Sequence, residues 1–244
     1  MIPKIIHYCW FGKGKKNRLI KRCIRSWKKR MPDYEIICWN EDNFDYTSVP
    51  FVKEAYEQKK WAFVADYVRL YALFHYGGIY LDTDSEVYKS FDFFLDNDFF
   101  AGTDCWDPSK TQFAISAGFM GASISNSYIK RCMEYYENAK FILDDGRLNI
   151  IIIPDILSSI LEPYGYKRED NVQVCIYDNL KIKIYSTHYF VNNFYQITKD
   201  TYAKHWGEDS WGLDHRGKLF HLFRKYDLMF LYKGAECIMR KFRK

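Results

Sequence analysis

A chain of 244 residues is long enough for a substantial core and fits one large domain or two small ones; a single α/β domain with a short appendage is the economical expectation. No uninterrupted apolar stretch approaches bilayer-spanning length, no signal peptide is read ahead of the strand-like run at Pro3, and seven scattered cysteines without a Cys-x-x-Cys pair argue against disulfides or zinc and for a reducing cytoplasm. The net charge of +5 is uneven: residues 215–244 hold nine Lys or Arg against Asp227 and Glu236, a net +7 that leaves the rest of the chain at −2.

Residues 3–10 form a short apolar run that ends in a Gly- and Lys-rich loop at 11–16, which predicts a buried strand feeding a loop. That loop lacks the G-x-x-x-x-G-K-[ST] spacing of a Walker A phosphate cradle. Residues 18–30 place Leu19, Cys23 and Trp27 on one stripe beside Ile20 and Ile24, with seven basic residues elsewhere, and Pro32 ends this amphipathic helix. Residues 34–40 predict a second strand, so the chain opens as β-α-β, expected to be parallel and right-handed. Trp10 then lies at the C-terminal edge of the first strand, outside which open α/β sheets bind nucleotides; simple burial in the core is its alternative. His7 is expected to be a packed, hydrogen-bonded strand residue and not a ligand.

Residues 51–60, introduced by Pro50, predict a helix that leads into a longer one over 61–76. Gly77-Gly78 supplies residues through which a helix exits in a left-handed conformation. Residues 79–84 alternate, so in a persisting strand Tyr80, Asp82 and Asp84 share one face while Ile79, Leu81 and Thr83 share the other. Two carboxylates so placed repel each other unless a cation lies between them, and hard divalent ions prefer carboxylate oxygen while keeping positions open for phosphates. Asp82-Thr83-Asp84 is therefore a candidate metal and diphosphate site, with a solvated turn as the plain alternative. An EF-hand is disfavoured, because the sixth position from Asp82 is Val87, where glycine is required. On the preceding helix Asp66 and Arg69 share a face beside the apolar stripe, either as part of such a site or as a salt-bridged surface.

Residues 91–95 predict a helical turn beneath the site, 99–102 a strand, and 116–121 a glycine-containing strand, with an edge strand without ligand as the alternative. Ser125-Asn126 caps a helix through Asn138, and Pro154 starts another that runs to Leu161. Asp155 in the first turn of that helix is explained by the helix dipole, and a role facing a substrate is not expected. Residues 172–177 and 180–185, divided by Asp178-Asn179, predict a hairpin. Beyond Leu213, bulky apolar residues alternate with Lys and Arg in the manner of a helix lying in a membrane interface, each basic residue adding about 1 kcal/mol near an anionic leaflet. A C-terminal helix packed on the domain is the alternative. The expected division is a domain at 1–214 and a basic amphipathic helical tail at 215–244.

Phe63-Val64-Ala65-Asp66-Tyr67-Val68-Arg69, followed by Tyr76-Gly77-Gly78-Ile79-Tyr80-Leu81-Asp82-Thr83-Asp84, resembles the Asp-x-Asp sugar-binding region of glycosyltransferase family 32. That family groups bacterial capsule and surface-polysaccharide transferases with fungal initiating mannosyltransferases; the catalytic domains of glucosylating toxins are more distantly similar. The resemblance implies a GT-A-type α/β fold with a Rossmann-like nucleotide-binding half and a mixed central sheet. It implies Mn²⁺ or Mg²⁺ as cofactor, held directly by Asp84 and His205, with Asp82 on ribose or reaching the metal through water. Trp10 would line the base pocket, Asp66 and Arg69 would hold donor-sugar hydroxyls, and Tyr80 would contact the donor. Thr201 to Trp211 resembles the family's C-terminal His…Ser-Trp segment, so Ser210 and Trp211 are expected to reach phosphate and base. Glu208-Asp209 departs from the small or neutral residues expected there, and Asp209 competes with His205 as the ligand.

The implied reaction is transfer with retention at the anomeric carbon, by front-face attack of the acceptor. UDP-hexose or UDP-N-acetylhexosamine is the favoured donor over GDP-mannose. The implied acceptor is a glycan, lipid-linked, in surface-polysaccharide synthesis at the cytoplasmic face of the membrane, with the tail on an anionic membrane surface. A catalytically silent nucleotide-sugar binder would carry the same motif. A basic nucleic-acid binder would explain the tail, yet no nucleic-acid module is visible and the main body is net acidic, so nucleic acid is not expected as a partner.

Overall fold

The computed structural model describes residues 1–104, 113–192, 196–207 and 231. The opening is β1 (Ile5–Cys9), α1 (Arg18–Arg30) and β2 (Glu35–Trp39), with β1 and β2 parallel and in register from Ile5 opposite Glu35 to Cys9 opposite Trp39. Helix α1 starts where the Asn17 side chain accepts from Ile20 N (2.9 Å) and buries Leu19, Ile20, Cys23 and Trp27. Helices α2 (Pro50–Glu57) and α3 (Trp61–Tyr76) follow, and α3 leaves through Gly77 and Gly78 at φ 64° and 101°. A Cβ at Gly78 would stand 2.6 Å from Ile5 O, so only glycine lets β3 (Gly78–Leu81) lie against β1 here.

The remaining elements are β4 (Ser85–Val87), a 3₁₀ turn at Asp92–Phe94, β5 (Phe99–Asp104), β6 (Ala114–Ala122), α4 (Ser127–Glu137), α5 (Ile153–Leu161), a second short 3₁₀ segment at Glu162–Tyr164, β7 (Gln173–Tyr177), β8 (Leu180–Tyr185), β9 (Phe190–Val191) and β10 (Ala203–His205). Seven strands form one mixed sheet in the order β2-β1-β3-β6-β5-β8-β7. β1, β2 and β3 are parallel, β6 runs against β3 and β5, and β8 runs with β5. A small second sheet has the order β4-β10-β9. The α/β class, the mixed central sheet and the Rossmann-like β-α-β opening thus agree with the sequence reading. The strand at 116–121 is longer than expected and central, not an edge.

The pleat divides the core in two. Tyr80, Phe99, Ala101 and Ala117 face the layer of α2 to α5, while Ile79, Leu81, Phe100 and Phe119 face α1, the 3₁₀ turn and β9. The high aromatic content goes largely into these two layers, as in the nest of Phe91, Phe94, Phe100, Tyr185 and Phe190. The Asp178-Asn179 turn of the β7-β8 hairpin has φ 48° and 66°, the left-handed pair that a two-residue turn requires. Among the described residues no helix is long and apolar enough to cross a membrane. The tail at 215–244 lies outside the described residues except Leu231, which is exposed.

Candidate active site

β3 stops at Leu81, one residue before the first carboxylate. The expected continuous alternation to Asp84 is therefore corrected: Asp82, Thr83 and Asp84 form a turn. Asp82 N still donates to Gly118 O of β6 (3.1 Å), and Ser85 N closes the turn on Asp82 O (2.9 Å). The chain turns because β4 pairs elsewhere, antiparallel to β10, with Ser85 opposite His205. That register carries a histidine from far down the chain onto the acidic turn. His205 Nε2 lies 3.1 Å from Asp84 Oδ1 and 3.7 Å from Asp82 Oδ2. Burial disfavours the His205 proton, but the Asp84 charge and hydrogen bond outweigh it, with Asp82 and Asp104 adding to them, and raise the imidazole to about 9.

The other oxygen of Asp82 is held from α3. Arg69 Nη1 lies 3.4 Å from Asp82 Oδ1 and donates to Ala117 O (2.9 Å), its guanidinium stands 4.5 Å from the centre of the Tyr80 ring, and Tyr80 Oη donates to the same Asp82 oxygen (3.1 Å). Asp66 Oδ1 lies 3.0 Å from Arg69 Nη2, fully buried behind it and outside the cleft wall. Neither Asp66 oxygen accepts a well-directed hydrogen bond, so its partnership with Arg69 is charge attraction alone. Burial, offset in part by Arg69 and reinforced by Asp82, pushes its carboxyl up to about 7.

Asp82, Asp84, His205, Arg69 and Tyr80 line a cleft of about 280 Å³ at the C-terminal edge of β1, β3 and β5, between Trp10, Gly12 and Gly14 on one side and Ser116, Ala117 and Gly118 on the other. Among the described residues no three His, Cys, Asp or Glu side chains already surround a metal position. Two observations nevertheless fit a divalent ion at this point. Two carboxylates and an imidazole are a donor set for Mn²⁺ or Mg²⁺ completed by substrate oxygen. Gly118 also leaves the space beside them open, since a Cβ there would lie 3.1 Å from Asp82 Oδ2 and 3.7 Å from His205 Nε2.

Trp10 lines the cleft, half-buried, with its indole N–H donating to Gly14 O (2.7 Å) and Lys16 above its ring at 4.8 Å. His7 is the packed strand histidine expected. Its Nδ1 accepts from Trp39 Nε1 (3.1 Å), which leaves Nε2 to donate to Gly77 O (2.7 Å). Asp155 pairs with Arg168 (2.9 Å) and does not itself line the cleft, although Ile153 and Pro154 before it do. Ser210, Trp211, Glu208 and Asp209 lie outside the described residues.

Sequence reasoning missed two groups. Asp104, 6% exposed, ends β5 in the cleft wall and accepts from Asn192 Nδ2 (2.6 Å). Reading the strand as ending at Gly102 hid it. Trp206 donates its backbone N–H to Asp84 O (3.1 Å) and its indole N–H to Glu86 Oε2 (3.0 Å), with Arg22 and Lys204 on its ring at 4.8 and 4.1 Å. It fastens the His205 strand to the acidic turn. No sequence signal marks that role.

Residues 17–101 match the family model described as a glycosyltransferase sugar-binding region containing a DXD motif. The inositol phosphoceramide mannosyltransferase 3 of Schizosaccharomyces pombe is 34% identical over 98 residues, 37% of this chain and 26% of that protein. The inositol phosphoceramide mannosyltransferase 2 of the same organism is 26% identical over 231 residues, 86% of this chain and 58% of that protein. The chain thus spans between a quarter and three fifths of the length of these curated relatives. Among solved structures, the PaToxG glycosyltransferase aligns with a TM-score of 0.46 at 19% identity, over 66% of this chain and 69% of that one. Asp66, Arg69 and Asp82-Thr83-Asp84 all lie inside the matched segment, so the match falls on the same residues that carry the resemblance to glycosyltransferase family 32.

Proposed function

We propose that this chain is a metal-dependent retaining glycosyltransferase of the GT-A type that moves a sugar from a nucleotide-sugar donor to a glycan acceptor. The observation that carries this reading is the meeting of Asp82, Asp84 and His205 on the floor of a cleft walled by Trp10 and Arg69. Asp84 and His205 would hold Mn²⁺ or Mg²⁺, with Asp82 on ribose or on the ion through water. When bound, the ion supplies Lewis-acid neutralisation of charge that grows on the departing diphosphate.

The chain's own groups do the rest. Trp10 offers an aromatic face to the base, and Arg69 and Tyr80 fix one Asp82 oxygen so that the other keeps its aim. Arg69, with Asp66 behind it as counter-charge, is assigned to donor-sugar hydroxyls; Ser210 and Trp211 are assigned to phosphate and base. No side chain is assigned as a covalent nucleophile. The acceptor hydroxyl attacks the face from which the diphosphate leaves, and the departing phosphate takes its proton.

A UDP-linked hexose or N-acetylhexosamine is the donor favoured by the family resemblance. The relatives' names support a second reading, a mannosyl donor, and make a plain hexose the stronger choice over an N-acetylhexosamine. The acceptor is proposed to be lipid-linked, in surface-polysaccharide synthesis at the inner membrane face, with 1–214 as the catalytic domain and 215–244 as a membrane-associated tail.

Asp84→Ala is expected to abolish metal-dependent turnover with the fold retained. Donor hydrolysis and transfer, measured with UDP-hexoses and GDP-mannose in the presence of Mn²⁺ and then EDTA, are the check. Full activity in that variant, or unchanged activity in EDTA, overturns the metal-dependent reading, and donor binding without hydrolysis or transfer would leave a silent binder.

A further inference from the structure

We propose that the outward face of α1 is a docking surface for an anionic lipid bilayer, a claim that goes beyond the transferase reading and does not require it. Residues 13–30 hold ten Lys or Arg and no Asp or Glu, a net +10 in a chain whose total is +5. This concentration exceeds that of the tail, and the fold displays it. Leu19, Ile20, Cys23 and Trp27 turn one side of α1 into the core, while Lys21, Arg25, Lys28, Lys29 and Arg30 are exposed. At 100° per residue, Lys21, Arg25, Lys28 and Lys29 fall within about a third of the helix circumference, in a stripe about 12 Å long.

Two ordinary explanations fall short. The helix dipole favours cations in the last turn and accounts for Lys28, Lys29 and Arg30. It does not account for Lys21 and Arg25 in the middle of the helix. Ion pairing on the surface does not account for them either, since no described carboxylate lies within 4 Å of Lys21, Arg25, Lys28, Lys29 or Arg30, in contrast to Arg22, which meets Glu86 at 3.2 Å. An unneutralised stripe repels itself and lowers stability unless an external anion meets it.

A bilayer fits this stripe better than a small anion does. The stripe runs along a helix whose apolar side is already used in the core, so it contacts headgroups without inserting. Its placement is also apt. Gly12, Gly14 and Ile20 line the cleft, so the helix that carries the stripe also contributes a residue to the cleft wall, next in sequence to Lys21.

The test is flotation of the full chain with phosphatidylcholine vesicles and with vesicles containing phosphatidylglycerol, at low and high salt. The expected result is binding to the anionic vesicles only, released by salt. A variant carrying Lys21→Gln, Arg25→Gln, Lys28→Gln and Lys29→Gln should bind about fivefold more weakly per charge removed, several hundredfold in all. A control with Lys53→Gln, Lys59→Gln, Lys130→Gln and Lys167→Gln, which removes as many exposed charges from other surfaces, should bind far better than the α1 variant. Circular dichroism melts check that both variants fold. The proposal is overturned if the wild type does not float, if the α1 variant binds like the wild type, if both variants lose binding equally, or if RNA outcompetes the vesicles. Hydrolysis of nucleotide sugars in solution is measured on the same proteins, so a failed transferase reading stays distinguishable from a failed docking surface.

Discussion

Asp82 shows how one carboxylate is given two environments. Oδ1 is occupied by Arg69 and by the Tyr80 hydroxyl, while Oδ2 faces His205. The Tyr80 hydroxyl is the part that can be removed cleanly, because the ring stays in the core against the Arg69 guanidinium. A hydrogen bond to a charged group contributes about 1.5 to 3 kcal/mol. Tyr80→Phe is therefore expected to lower kcat/KM for the donor at least tenfold, with unfolding stability changed far less; steady-state kinetics beside urea titration would check it. Equal losses in both would mean that the hydroxyl serves the fold and not the site. Asp66 and Arg69 were legible as a shared helix face, but its direction was not. Spacing alone does not reveal that Asp66 is sealed behind Arg69 and that Arg69 faces the cleft.

Most elements could be read directly, for local reasons. α1 was legible from its 3.6-residue apolar stripe, and the β7-β8 hairpin from two residues that tolerate positive φ. α4 was legible from its cap: Asn126 Oδ1 accepts from Tyr128 N (3.1 Å) and Ile129 N (3.2 Å), while Nδ2 donates to Asp98 O (2.9 Å). Asn126→Ala should lower stability by about 1 to 2 kcal/mol through the lost cap, seen as a lower urea midpoint at unchanged slope. A midpoint within error of wild type would show that solvent replaces the cap. β4 and β10 were not legible as strands. Each has three residues, too few for a periodic signal, and they exist because they pair with each other across more than a hundred residues. For the same reason the turn at Asp82 could not be told from a continuing strand, since its end is set by that pairing.

For the whole molecule, the buried neutral imidazole of His7 links stability to pH. Burial holds its proton affinity down to about 4, against the pull of the Gly77 carbonyl. In the unfolded chain the same group titrates near 6.5. Its contribution is therefore complete above about pH 6.5 and erodes as pH falls toward 4, because the unfolded state takes up the proton first; the total is about 3 kcal/mol. Denaturant titrations of the wild type and His7→Gln between pH 7.5 and 4 should show a steeper loss in the wild type. Parallel curves would place the titration elsewhere.

The sequence by itself determined the α/β class, the opening β-α-β unit, the long helix with its glycine exit and the Asp-x-Asp pair, because each rests on local periodicity, backbone freedom or motif chemistry. Tertiary structure alone decided what that motif faces. Pairing of β4 with β10 brings His205 to Asp84, the end of β5 adds Asp104 to the cleft, and the bare backbone of Gly118 keeps the space beside the carboxylates open. Such contacts join residues far apart in the chain, and their partners are chosen by packing and hydrogen-bond register, which no single segment encodes.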